Sequence, residues 1–186
     1  MFKLEERTQM IFREMMTHPA IFTHASPEHI AILGDPDSQI LQEVLKHSEI
    51  KEVYHNTTSQ KVDILINAGI HTTNSKNYST LLNPNGIFIQ KSSSPFEISA
   101  IQLLMQDLKS MGFNEFQILT FPQPSVDTGL GSAIMAMKQG IFRRIREKNI
   151  FNKPFKTHYY NFDVHHAAMV LPEFMRESFN NQEEIP

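Results

Sequence analysis

One glycine and two carboxylates follow a short apolar run in the first quarter of the chain. The run at residues 30–33 has the pattern of a strand buried on both faces, and residues 34–39 read Gly-Asp-Pro-Asp-Ser-Gln. Such a strand-to-helix turn binds nucleosides when glycines let the backbone approach a ligand at the helix N-terminus. Only Gly34 is present here, and Pro36 removes one backbone N–H. The turn therefore predicts a nucleoside site whose loop has lost the usual glycines.

Several other polar residues are candidates for chemistry. Glu14 and His18 lie four residues apart on a predicted helix face, and they form either a local side-chain pair or part of a binding site. His71 lies in a predicted polar loop, where it is either a substitute base, since unperturbed histidine titrates near neutrality, or a solvated side chain. His165 and His166 are adjacent, so on a helix they point apart, and we predict no metal site.

The elements that position these residues alternate between strand and helix. We predict a helix from Gln9 to Thr17, ended by Pro19, and an amphipathic helix that opens at Ser94-Pro95 and runs to Met111. A further helix follows the turn, over residues 40–47, and strands are predicted at 30–33, 50–54, 62–66, 87–90, 116–121 and 132–137. Residues 83–86 predict a turn before the strand at 87–90. This alternation favours an α/β sandwich with a mostly parallel sheet and an antiparallel hairpin at its edge.

Composition sets the remaining limits. The 186 residues suit one domain, and a net charge of −3 gives no basic surplus for nucleic acid. The absence of cysteine excludes disulfides and thiolate metal sites. No apolar run reaches membrane-spanning length and the N-terminus lacks a secretory pattern, so a cytoplasmic location is expected. Arg143, Arg144, Arg146 and Lys148 form a short basic run, interpreted as a solvated helix end.

Three blocks in one order resemble the polyamine aminopropyltransferases, the spermidine synthase family. Residues 6–18 end in Glu-Met-Met-Thr-His, as the family stretch Tyr-His-Glu-Met-Met-Thr-His does. Residues 34–47 resemble the family's Gly-rich turn and the helix Leu-Arg-Glu-Val-Leu-Lys-His behind it. Residues 159–172 match its ending Tyr-Tyr-Asn-x-x-Ile-His-x-Ala-Ala-Phe-x-Leu-Pro. The resemblance covers most of the chain and implies a Rossmann-like, methyltransferase-type fold with His165 in a structural role.

The resemblance also implies a reaction and a set of ligands. The family transfers an aminopropyl group from decarboxylated S-adenosylmethionine to putrescine, so this donor is a substrate and no separate cofactor is expected. Five residues stand at or near the implied substrate pocket: Gly34, Asp37, Glu14, His18 and Gln90. Asp37 has two interpretations, a contact to the amine of a nucleoside substrate or the N-cap of the next helix.

The same resemblance shows what this sequence lacks. By this resemblance we expect the sequence to begin after the family's N-terminal β module and to lack one β-α-type unit, with the ribose-binding acid, between residues 54 and 61. Residues 1–186 are then expected to form one trimmed domain. The two positions of the family's catalytic acids are occupied by Ala68 and His71, and neither supplies a carboxylate. Phe12 and Arg13 replace a substrate-contacting tyrosine and a neutral polar residue.

Because of these losses, four hypotheses for the function remain. The first is an aminopropyltransferase-type protein with lost or severely reduced activity. The second is a non-catalytic binding partner, either of an active homologue or as a homo-oligomer. The third is an enzyme with altered substrates, in which Arg13 and Lys91 favour an anionic acceptor. A fourth is a protein that folds and has no activity. Polyamines and nucleosides are the small molecules expected to bind.

Overall fold

The computed structural model describes residues 3–56, 60–69, 78–142 and 145–180. Strands and helices alternate along the chain, as predicted. The strands are β1 His29–Leu33, β2 Glu52–His55, β3 Val62–Asn67, β4 Leu82–Ser92, β5 Glu115–Pro122 and β6 Leu130–Met137. The helices are α1 Leu4–Thr23, α2 Gln39–Val44, α3 Ile98–Ser110, α4 Glu147–Phe151, α5 Phe162–Ala168 and α6 Glu173–Asn180, with a 3-10 turn at Tyr78–Leu81.

The described strands form one sheet in the order β2-β1-β3-β4-β6-β5. β1 pairs in parallel with β2 and β3, and β3 pairs in parallel with β4. β6 runs antiparallel to both of its neighbours, β4 and β5. The α/β fold with a mostly parallel sheet is therefore confirmed. The predicted antiparallel hairpin is confirmed at one edge of the sheet, where β5 is the outermost strand and β6 lies one position inside it.

Alternate residues of the central strands face opposite helix layers. Ile30 and Ile32 of β1 pack in a cluster that includes side chains of α1, α2, α4 and α5. Ala31, between them, belongs to a second cluster with α3 and α6. All three residues are fully buried, so β1 is covered on both faces, as its continuous apolar run predicted.

Helix α1 is longer than predicted. Pro19 was expected to end it, but α1 continues through Pro19 to Thr23. A proline inside a helix removes a backbone hydrogen bond. Here the three residues after it, Ala20, Ile21 and Phe22, are buried in the core, and this burial offsets the loss. No helix in the described part of the chain, α1 included, is long and apolar enough to cross a bilayer.

The turn predicted at residues 83–86 lies inside β4. Val62 pairs with Leu82, and Ile64 pairs with Ile87, so the register between β3 and β4 shifts across these residues. Pro84 and Asn85 are exposed within this irregularity. The polar and turn-forming residues thus produce a bulge in a long strand, and β4 begins earlier than the predicted strand at 87–90.

Candidate functional site

The loop after β1 and the end of β3 are in direct contact. Gly34 has a φ of +72°, and a Cβ added to it would lie 2.3 Å from the backbone nitrogen of Gly69. β1 and β3 are parallel neighbours, so both loops leave the sheet at the carboxyl ends of the strands, where α/β folds bind ligands. Glycine alone satisfies both the left-handed backbone and the close approach at position 34.

We expect Gly34→Ala to lower the free energy of unfolding by about 2–4 kcal/mol, because it combines backbone strain with a clash. Gly112→Ala is the matched control, since Gly112 also has a positive φ of 93° but no atom within 4 Å of the added Cβ. The control should lose only about 1–2 kcal/mol. Urea denaturation of both variants measures the difference. Equal losses would show that contact with Gly69 does not constrain position 34.

Asp35, and not Asp37, caps helix α2. The Asp35 carboxylate accepts hydrogen bonds from the backbone N–H of Gln39 at 3.0 Å and of Leu41 at 3.0 Å. The residue before the helix is Ser38, whose side chain makes no capping bond. The interpretation of Asp37 as the N-cap is therefore wrong. Asp37 is exposed, while Asp35 is buried and engaged with the backbone.

A small cavity lies beside this loop. Its volume is about 160 Å³, below the roughly 300–1,000 Å³ of pockets that enclose small-molecule ligands. The side chains around it come from α1, the loop after β1, the start of α2 and the end of β3. They include Phe12, Arg13, Gly34, Asp37 and Ala68. Of the five predicted substrate-binding residues, Gly34 and Asp37 therefore lie at the cavity.

Arg13 reaches from this cavity to a buried carboxylate. Its Nε lies 3.1 Å from Oε1 of Glu43, and Lys46 Nζ lies 2.6 Å from Oε2 of the same group. Burial raises the pKa of Glu43, but close contacts with His18 and Lys46 outweigh it and lower that pKa to about 2. Glu43 is thus a permanent anion at neutral pH, and it partly offsets the charge that Arg13 brings to the cavity.

Glu14 is fully buried and bonded to the protein itself. Its carboxylate accepts three backbone hydrogen bonds, from His158 at 2.8 Å, Tyr159 at 2.9 Å and Tyr160 at 2.8 Å. This cluster, which we call the Glu14 clamp, joins α1 to the segment before α5. The local pair of Glu14 with His18 is not formed, because each side chain bonds to a distant segment instead.

His18 belongs to a buried histidine pair. Its Nδ1 lies 2.9 Å from Nε2 of His47, and its Nε2 lies 3.3 Å from Glu43. Burial lowers the pKa of His18, against the pull of Glu43. Burial and then the neighbouring His18 lower the pKa of His47 to about 3. Both rings are therefore neutral at pH 7, and one donates to the other. His18 is fully buried and faces the core rather than the cavity.

Gln90 ties together the ends of β3 and β4. Its Nε2 donates to the carbonyls of Gly69 at 3.0 Å and Lys91 at 2.8 Å, and its Oε1 accepts from Asn67 Nδ2 at 2.7 Å. The side chain is fully buried. Its amide is thus occupied by protein groups at the strand ends, and this holds the start of the loop after β3.

The two positions expected to carry acids are at the end of β3. Ala68 is half-buried and borders the cavity, and its N–H donates to the carbonyl of Leu33 at 2.9 Å. His71 lies outside the described residues. The sequence over residues 67–77 contains no Asp or Glu. Position 68 therefore brings a methyl group, and not a proton acceptor, to the edge of the cavity.

His165 has a structural environment. It is fully buried on α5, and its Nδ1 lies 2.6 Å from the hydroxyl of Tyr160. Burial, with a smaller contribution from His166, lowers the pKa of His165 to about 4. Within the described ranges, no three His, Cys, Asp or Glu side chains gather closely enough to hold a metal ion.

Comparison with known proteins places this architecture in a family. The family model for the spermine/spermidine synthase domain matches residues 9–64. The polyamine aminopropyltransferase of Halorhodospira halophila is 30% identical over 93% of this chain and 81% of its own length. The chain belongs to the polyamine aminopropyltransferase family. The enzyme of that name from Thioalkalivibrio sulfidiphilus is 28% identical over 94% of this chain and 80% of its own.

Solved structures give the same fold. Spermidine synthase from Thermotoga maritima superposes with a TM-score of 0.84 at 18% identity, over 95% of this chain and 76% of its own. A spermidine synthase in complex with the transition-state analogue AdoDATO gives a TM-score of 0.83 at 18% identity, over 95% and 77% of the two chains. The resemblance carried by the three sequence blocks, and the fold it implied, are confirmed.

The short connection between β2 and β3 agrees with the prediction that one β-α-type unit is missing from this member of the aminopropyltransferase family. β2 ends at His55 and β3 begins at Val62. Residues 56–61 therefore make the connection, whereas a crossover between parallel strands ordinarily takes a dozen or more residues. β2 is an edge strand of the described sheet, with no described strand beyond it.

A larger cavity, which sequence reasoning missed, adjoins the first at Phe12. Its volume is about 420 Å³ and it lies among the segments that follow β4 and β5. Glu97 and Asp127 are two carboxylates at its border, and Lys91 Nζ lies 5.5 Å from the centre of the Phe12 ring. The strand order would have predicted this cavity. β4 and β5 are parallel to β1, so polar residues after both strands gather at the same end of the sheet.

Proposed function

We propose that this aminopropyltransferase-family chain has lost, or has in large part lost, the aminopropyl transfer of its relatives. The observation that carries the proposal is Ala68. It borders the cavity at the end of β3, where the resemblance implies a catalytic carboxylate. Under this proposal the chain is a pseudoenzyme that keeps the fold of its relatives.

The chemistry explains why this position matters. Transfer requires an amine nitrogen of the acceptor to attack the carbon attached to the donor sulfonium. The C–S bond breaks, a neutral thioether leaves, and the nitrogen must give up a proton. A positioned base contributes about 10²–10⁴-fold to such a step. Ala68 has no group that accepts this proton.

The cavity where the nucleoside donor substrate would bind supports the same proposal. The cavity of about 160 Å³ is small for a nucleoside with an aminopropyl arm. Asp35 is engaged at α2, which leaves Asp37 as the exposed carboxylate of the loop. We infer that Gly34 and Asp37 are the predicted binding residues still available to a nucleoside. Glu14, His18 and Gln90 then act by supporting the loops.

The test is an aminopropyltransferase assay with decarboxylated S-adenosylmethionine and putrescine. The Halorhodospira halophila relative, assayed in parallel, is the reference. We expect turnover to be at least about 10²–10⁴-fold lower than that of the reference, from the missing base alone. Cooperative thermal unfolding of the same sample establishes that it is folded. Turnover at a rate comparable with the reference would refute the proposal.

The larger cavity favours a second candidate, an enzyme with altered substrates. It provides room beside Phe12, where Lys91 and, from the adjoining cavity, Arg13 supply cations for an anionic acceptor, while Glu97 and Asp127 also stand at the border. This candidate predicts thermal stabilisation by a thioether nucleoside or a carboxylate ligand, and none by putrescine. Stabilisation by putrescine alone, or by none of the three, would count against it.

A further inference from the structure

A third cavity lies at the opposite end of the sheet from Gly34. It is formed by the segment between α2 and β2 together with α4 and the residues after it, and its volume is about 260 Å³. Residues 47–49 precede β2, so the cavity is at the amino ends of the parallel strands. It shares no lining residue with the two cavities described above.

The cavity has a surplus of positive charge in a chain whose net charge is −3. Lys148 and Lys153 border it, and neither forms an ion pair with a carboxylate of the described residues. Lys153 Nζ donates to the carbonyl of Ile150, at 3.5 Å. The one carboxylate at the border, Glu49, is already paired with Arg146 at 3.1 Å. The two lysines at the cavity therefore have no carboxylate partner among the described residues.

The interpretation of the basic run as a solvated helix end is wrong for Arg146. Its guanidinium turns inward, donates to the carbonyl of Ile21 at 2.8 Å and pairs with Glu49. Arg143 and Arg144 lie outside the described residues. The run thus supplies a cation that neutralises Glu49, while Lys148 remains available to a ligand.

The opposite wall of the cavity is aromatic and tightly packed. The ring of His47 lies 4.8 Å from that of Phe155 and 5.1 Å from that of Phe22, and both pairs are edge-on. Phe155 in turn stacks on His18 at 5.6 Å. This wall is held in place by the buried histidine pair, so an apolar ligand surface can pack against it without reorganising the protein.

We propose that this cavity binds a small aromatic anion. Its phosphate or carboxylate group lies between Lys148 and Lys153, and its ring packs against Phe155. The amides of Asn149 and Asn152, which also border the cavity, supply further hydrogen-bond donors. Because the cavity is remote from Ala68 and Gly34, this binding is independent of whether aminopropyl transfer occurs.

The probe is phenyl phosphate, followed by NMR on the ¹⁵N-labelled full chain. We expect saturable shifts at the amides of residues 148–153, with a dissociation constant of about 1 mM. Inorganic phosphate has the charge without the ring, and phenol has the ring without the charge. Both should bind more weakly than phenyl phosphate. Shifts centred on residues 34–37, or none at residues 148–153 at tenfold the expected constant, would overturn the proposal.

Lysine variants test the charge directly. Lys148→Gln and Lys153→Gln should each weaken phenyl phosphate binding about three- to fivefold, the value of an exposed ion pair. Lys109→Gln, an exposed lysine of α3, is the matched control and should leave the constant unchanged. All three side chains lie outside the core, so the folded state is retained. Unchanged affinity in both cavity variants would also refute the assignment.

Discussion

Replacing Glu14 with glutamine is expected to lower the free energy of unfolding by about 3–5 kcal/mol. The Glu14 clamp holds three backbone N–H groups with one fully buried carboxylate. An amide presents one acceptor oxygen, and its NH₂ group would face donors. At least one buried N–H is then left unpaired, and the charge that strengthens all three bonds is lost.

Urea denaturation monitored by circular dichroism measures this loss. Glu5→Gln, in the exposed first turn of the same helix, is the matched control and should change stability by less than about 0.5 kcal/mol. If Glu14→Gln loses less than about 1 kcal/mol, the clamp is not a main stabilising contact.

Acidification from pH 7 to pH 5 is expected to cost about 4 kcal/mol of stability through His47 and His165, or about 2 kcal/mol for each. Their folded-state pKa values, about 3 and about 4, lie below the ordinary value of 6.5. Below pH 6.5 the unfolded chain therefore binds protons that the native state does not. Stability rises with pH across this window and is lost as the pH falls. The lowered pKa of His18 acts in the same direction.

Chemical denaturation at a series of pH values tests this dependence. The His47→Gln variant should lose about 2 kcal/mol less than the natural chain between pH 7 and pH 5, because one titrating group is removed. Gln106→Ala changes an exposed, non-titrating residue of α3 and should keep the full dependence. Equal stability of the natural chain at pH 7 and pH 5 would contradict neutral burial of these rings.

Much of the fold could be predicted from the sequence. The apolar run at residues 30–33 was identifiable as a buried strand from its own pattern, and the local apolar patterns of the other segments placed the remaining strands. Two features resisted prediction for a physical reason. Pro19 usually ends a helix, but the burial of the residues after it outweighs the lost hydrogen bond. The edge hairpin was predicted, but which of its two strands is outermost depends on tertiary pairing that local patterns do not record.

The candidate site was predicted less completely. Sequence position suggested Asp37 as the N-cap of α2, and only the backbone geometry of the loop assigns the capping role to Asp35. Gln90 was expected near a ligand, since it lies at a strand end, but its amide is shared among Asn67, Gly69 and Lys91. Distinguishing a support from a ligand requires knowing which neighbours already satisfy each polar atom.

The Glu14 clamp also orders events during synthesis. Helix α1 is synthesised before residues 158–160, whose backbone N–H groups satisfy its carboxylate in the folded chain. Until those residues are made, packing α1 against the core would bury a carboxylate without its hydrogen-bond partners, which is unfavourable. We therefore expect α1 to complete its packing only after residues 158–160 have been synthesised.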